Sequence, residues 1–139
     1  MSDGKRLRAS GVVVAFVTGA VVFLALDAVW LTTMADRLYR PALGHLMRED
    51  FDVWAAAAFY VIHLGGMTYF AVAGARNTAA AAGRGALYGL VTYAAFDLTN
   101  QATMRDWPWH VTLADLSWSP VVTSLSAAAA WRVARSRAH

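Results

Sequence analysis

Val12–Thr33 reads VVVAFVTGAVVFLALDAVWLTT, and this run decides what kind of chain it belongs to. As a helix, at about 1.5 Å per residue, it covers the roughly 30 Å of bilayer hydrocarbon. It follows Lys5-Arg6-Leu7-Arg8 and so mimics a signal peptide. A signal core is only about 7–15 residues long, however, and no small-x-small cleavage site follows this run. A retained membrane span is therefore expected. The span carries Asp27, an acid that lipid cannot solvate.

The rest of the chain has the same character. Of 139 residues, 58% are hydrophobic and 15% charged, with a mean hydropathy of +0.42. Ordinary soluble domains are less apolar than this. Cysteine is absent, which excludes disulfides and thiolate-bound zinc or iron–sulfur centres. The pI of about 9.7 would suit a nucleic-acid binder, but eleven of the twelve basic residues are Arg spread over loops and ends rather than one face. Basic membrane flanks account for them, and no nucleic-acid partner is expected.

Four apolar segments follow one another: about 11–34, 53–75, 78–104 and 109–133. Strand-like alternation is missing, so helices must satisfy the backbone in lipid. The expected fold is all-α, a single membrane domain over residues 1–139 built as a four-transmembrane-helix bundle. Lys5, Arg6, Arg8, Arg76, Arg84, Arg132, Arg135 and Arg137 fall on one side of such a bundle, whereas Arg37, Arg40, Arg48 and Arg105 fall on the other, diluted by acids. The positive-inside rule then puts both termini in the cytoplasm. Ala35–Asp52 is the one long connection, with Leu38, Tyr39, Leu43, Leu46, Met47 and Phe51 suited to the membrane interface. Arg76-Asn77-Thr78 offers a helix N-cap. The short Arg105–Trp109 link makes the third and fourth helices antiparallel neighbours, with two tryptophans for the aromatic belt.

The first and third spans align at an offset of 70, pairing Gly19 with Gly89, Ala25 with Ala95, Asp27 with Asp97, Thr33 with Thr103 and Asp36 with Asp106. The pattern fits two repeated helical hairpins, as in some transporters or after duplication without transport.

Counting along the helices places Asp27, Asp97 and Asp115 in the outer half of the bilayer, where they can converge. Helical neighbours at i+3 and i+4 share a face with each acid. These are Trp30 beside Asp27, Asn100 and Gln101 beside Asp97, and Trp118 beside Asp115. Indole and amide N–H groups can satisfy carboxylate oxygens. The candidate binding cluster is therefore Asp27, Trp30, Asp97, Asn100, Gln101, Asp115 and Trp118. A central Asp costs about 2.5–3.5 kcal/mol on the insertion scale, so three uncompensated ones cost roughly 8–10 kcal/mol. Protonation, pairing with Arg105 or a loop Arg, or a bound cation must offset that. His63 lies near mid-bilayer as a packing residue or, with Asp27, Asp97 and Asp115, as a ligand for a hard or borderline metal. Gly65-Gly66, Gly85 with Gly89, and the Ala55–Ala58 and Ala127–Ala130 faces allow close helix approach. Pro120 is expected to kink the last helix beside Asp115. There is no nucleophile elbow, phosphate loop, zinc-protease motif or cofactor fingerprint.

Phe23–Leu31 (FLALDAVWL), Leu43-Gly44-His45-Leu46, Asp97–Thr103 (DLTNQAT) with Trp107-Pro108, and Asp115-Leu116-Ser117-Trp118 together resemble the bacterial membrane-protein family catalogued as domain of unknown function 2177. The resemblance runs from about Val12 to Trp131, and Ser119 stands where that family usually has Gly. It implies a multi-pass protein of the bacterial inner membrane and carries no activity with it. Three functions remain open: binding or translocation of a small cation, proton or polar solute; an accessory or structural role as a homo-oligomer or in a larger membrane complex; and catalysis on a lipid.

Overall fold

The computed structural model describes residues 6–138, and all regular structure among them is helical. Four long helices carry it: α1 (Ala9–Met34), α2 (Val53–Met67), α3 (Thr78–Thr103) and α4 (Trp109–Ser136). The caps form where small polar residues precede the apolar runs. The Asp52 carboxylate accepts from the Ala55 amide at 3.0 Å, and the Asn77 side chain accepts from the Ala80 amide at 2.7 Å. α4 starts behind Pro108 and runs unbroken through Pro120.

The connection expected as a surface segment is largely helical. Beyond α1 the chain continues as a π-helical turn (Ala35–Tyr39), a short helix (Arg40–Leu43) and a 3-10 turn (Gly44–Leu46). Leu38 and Leu43 are buried there against Val111 at the start of α4, with Met34 and Trp107 alongside. α2 similarly ends in a π-helical turn, Thr68–Val72.

Two helical stretches among the described residues, Ala9–Leu46 and Val53–Val72, are long and apolar enough to cross a membrane. α3 and α4 fall short of that measure because of what they bury. Thr112, Ser119, Thr123 and Ser126 of α4 are wholly inside, as is Asp97 of α3. Their outer faces are apolar instead: Leu87, Val91 and Phe96 on α3, and Leu113, Val121 and Leu125 on α4, are all exposed. α1 shows the same inversion, with Val13, Val17, Val21 and Val29 outside and Asp27 inside.

Small residues set how closely the helices approach. α3 and α4 form the most extensive contact in the molecule, and α1 lies along α4 next. A Cβ on Gly85 would stand 2.7 Å from the Thr123 carbonyl oxygen, and one on Gly89 would stand 2.4 Å from that of Ser119. These glycines therefore seat α3 directly on the α4 backbone. The buried positions of α1 step by four, Ala15, Gly19, Phe23 and Asp27. α3 repeats the step with Gly85, Gly89, Tyr93 and Asp97, of which Tyr93 is half-buried. The two ridges are 70 residues apart, the offset read from the sequence.

α2 is held most firmly at its C-terminal end. Thr68–Val72 contacts α1, α3 and α4, whereas Val53, Trp54 and Phe59 stay exposed. The Tyr88 hydroxyl, lying over Gly66, donates to the His63 carbonyl at 2.9 Å. At the same end the Leu7 amide donates to the Ala73 carbonyl and the Trp131 indole to that of Ala75, so both chain ends meet the α2–α3 turn. Toward the opposite end a gap opens between α2 and α3.

Candidate functional site

That gap is a pocket of about 500 Å³, and Asp27, Asp97 and Asp115 all line it. Each acid arrives by the register of its own helix. Asp27 closes the buried ridge of α1, Asp97 closes the matching ridge of α3, and Asp115 stands one turn before Ser119, on which Gly89 rests.

Two of the acids are satisfied by side chains from other elements. Asp27 accepts from the Tyr60 hydroxyl at 2.7 Å and from the Trp118 indole at 3.2 Å. Asp115 accepts from the Tyr39 hydroxyl at 2.5 Å, and Tyr39 in turn accepts from the Trp30 indole at 2.9 Å. The Trp30 and Trp118 rings stack at 4.8 Å between centroids, 5° from parallel. Tyr39 reaches this network from the π-helical turn, whose extra residue per turn resets which side chains face inward.

Asp97 differs. It is 0% exposed, and neither carboxyl oxygen has a hydrogen-bond partner. Asp115 lines the same pocket. No Lys or Arg lines the pocket. A buried carboxyl without a donor is satisfied only when it holds a proton or a cation lies beside it.

Of the seven residues expected in the cluster, Asp27, Trp30, Asp97, Asp115 and Trp118 line the pocket, whereas Asn100 and Gln101 do not. Gln101 lies a turn nearer the end of α3, where α4 begins. It donates to the Trp107 carbonyl at 2.8 Å and accepts from the Thr112 hydroxyl at 2.8 Å, and the Trp107 indole donates to Thr112 at 3.1 Å. This second network fastens the α3–α4 link. Expected donors also change partners: Trp30 serves Tyr39 rather than Asp27, and Trp118 serves Asp27 rather than Asp115. Side chains on one helix face run side by side toward the neighbouring helix, so a carboxylate meets what the neighbour presents. Sequence reasoning missed Tyr39, Tyr60 and Tyr93. The signal that could have found them is a hydroxyl-bearing ring on an otherwise apolar face, Tyr60 on α2 and Tyr93 one turn before Asp97.

The metal-ligand set expected from Asp27, Asp97, Asp115 and His63 is not assembled. Among the described residues no group of three or more His, Asp or Glu side chains is placed to hold a metal ion. His63 is buried in rings instead, 5.2 Å from Phe23, 5.2 Å from Phe59 and 5.1 Å from Tyr88 by centroid, and it does not line the pocket.

A family model described as "Predicted membrane protein (DUF2177)" matches residues 12–132. No curated protein and no solved structure matches the chain.

Proposed function

Since this chain belongs to the DUF2177 family of predicted membrane proteins, we propose that it is a four-span bundle of a bacterial cytoplasmic membrane that binds a small cationic solute at Asp97. The observation that carries this reading is the Asp97 carboxyl, buried, without a donor and facing a pocket between two further acids. A group so placed raises the energy of the empty site and is stabilised by whatever cation enters it. Apolar outer faces on all four helices support four spans, because hydrocarbon favours Val and Leu outside and Ser, Thr and Asp inside. The excess of Arg at the end that joins both termini supports a cytoplasmic position for that end.

The bundle interior is closed on that side. Phe23, Met67, Val122 and Ala127 are 0% exposed between the pocket and the termini. The structure therefore suits a binding site open at one end, and passage through the membrane would require the Phe23–Met67 layer to part.

Carbodiimide labelling tests the reading, because dicyclohexylcarbodiimide enters apolar sites and reacts with carboxylic acids there. Mass spectrometry should find the adduct on Asp97, diminished when cations are added. Labelling confined to acids of the 35–52 connection would sink it. The orientation is checked separately: the chain has no cysteine, so single cysteines at Asn77 and Arg105 should react with an impermeant maleimide from opposite sides.

A further inference from the structure

The reading above leaves the cation unspecified, and the pocket walls narrow it. We infer that the pocket receives an organic ammonium ion carrying an apolar body, which enters sideways between α2 and α3. This inference rests on the cation-site reading and adds the ligand class to it.

Three observations converge on an ammonium. First, three of the six carboxylate oxygens already accept hydrogen bonds, both of Asp27 from Tyr60 and Trp118 and one of Asp115 from Tyr39. Magnesium and calcium need six or more oxygen ligands, and among the described residues no three Asp, Glu or His side chains are placed to start such a shell. Second, apart from Leu31 and Thr92 the remaining lining is aromatic. Trp30, Trp118, Tyr60, Tyr93, Phe59 and Phe96 surround the acids, and ring faces attract alkylammonium groups, which cannot be coordinated as metals are. Third, about 500 Å³ is the scale of a small-molecule site rather than an ion site.

The apolar body follows from the opening. Phe59 on α2 and Phe96 on α3 line the pocket and are nevertheless 45% and 58% exposed. They stand where the gap meets the lipid-facing surface, so a ligand with its head at Asp97 leaves its tail between them. Charge separates two sources of such a head. A zwitterionic phospholipid would bring a phosphate next to three carboxylates with no lining Lys or Arg to receive it. The ligand is therefore a net cation, a free amphiphilic amine or quaternary ammonium.

The test uses the full chain in maltoside micelles, titrated with benzyltriethylammonium and read by calorimetry and by the fluorescence of the stacked Trp30–Trp118 pair. Saturable binding is expected, with a neutral isostere carrying carbon in place of nitrogen at least about tenfold weaker. Asp97→Asn should weaken the ammonium at least about tenfold. Phe96→Ala, at a position 58% exposed and edge-on to Trp107, should weaken it a fewfold and serves if Asp97→Asn does not fold. Equal binding of the neutral isostere would reduce the site to an apolar cleft and overturn the inference. So would phosphocholine binding as tightly as benzyltriethylammonium, which would indicate a lipid headgroup. If sodium, potassium or magnesium gave an Asp97-dependent response and the ammonium gave none, the ligand class would fall while the cation site stood. With no response to any of them, both fall.

Discussion

Replacing Gly89 by Ala adds one methyl where α3 comes closest to the α4 backbone. The new Cβ would stand 2.4 Å from the Ser119 carbonyl oxygen, 2.9 Å from its carbonyl carbon and 2.5 Å from the Thr123 hydroxyl. The two closest obstacles on Ser119 are backbone atoms of a continuous helix, so relief requires α3 and α4 to separate. Overpacking of this kind costs about 1–3 kcal/mol. Ala is the better helix former by at most about 1 kcal/mol, an advantage that shrinks where lipid already enforces helix. A net loss of about 1–2 kcal/mol is expected. Gly83 supplies the control, because a Cβ there meets nothing within 4 Å, and Gly83→Ala should be neutral or stabilise by up to about 1 kcal/mol. Reversible unfolding in mixed micelles, followed by tryptophan fluorescence, measures both. Ser119 adjoins Trp118, so Gly89→Ala should also disturb the Trp30–Trp118 stack and shift the native emission. A Gly89→Ala protein as stable as its Gly83→Ala counterpart, with unchanged emission, would refute the close seating of α3 on α4.

Tyr60→Phe removes one of the two donors to Asp27 and should destabilise by about 1–3 kcal/mol, the cost of leaving a buried acceptor short, whereas Tyr69→Phe on an exposed ring should change nothing in the same unfolding assay. Asp97→Asn should move stability the other way, by about 1–4 kcal/mol, because it removes an uncompensated buried acid; a less stable variant would mean that Asp97 has a partner that its surroundings do not reveal. Thr112→Val breaks the bridge between Gln101 and Trp107 and should cost about 1–3 kcal/mol without changing ammonium binding, since neither Gln101 nor Thr112 lines the pocket.

The helices and the acids were legible in the sequence because lipid imposes simple rules. Apolar runs long enough to cross it must be helical, and polar residues within them must face inward. That logic brought Asp27, Asp97 and Asp115 into one pocket. It could not say which donor serves which acid, because that depends on the rotation and approach of neighbouring helices. The exchange of Trp30 and Trp118 between acids, and the departure of Gln101 to Thr112, are decided at that level. Tyr39 was illegible for another reason. Its position depends on the helix continuing past Met34 through a π-helical turn, which no cap or breaker in Ala35–Tyr39 announces. His63 read first as a packing residue and second as a metal ligand, and the rings of Phe23, Phe59 and Tyr88 around it fit the first role.

The matching ridges of α1 and α3 differ in how their terminal acids are kept. Ala15–Gly19–Phe23–Asp27 ends in an acid held by a tyrosine and a tryptophan, and Gly85–Gly89–Tyr93–Asp97 ends in one held by nothing. The first acid ties α1 to α2 and α4, whereas the second makes no such tie. Erasing that difference would take little: a hydroxyl on the adjacent face of α2, reaching Asp97 as Tyr60 reaches Asp27, would turn the pocket into ordinary interior.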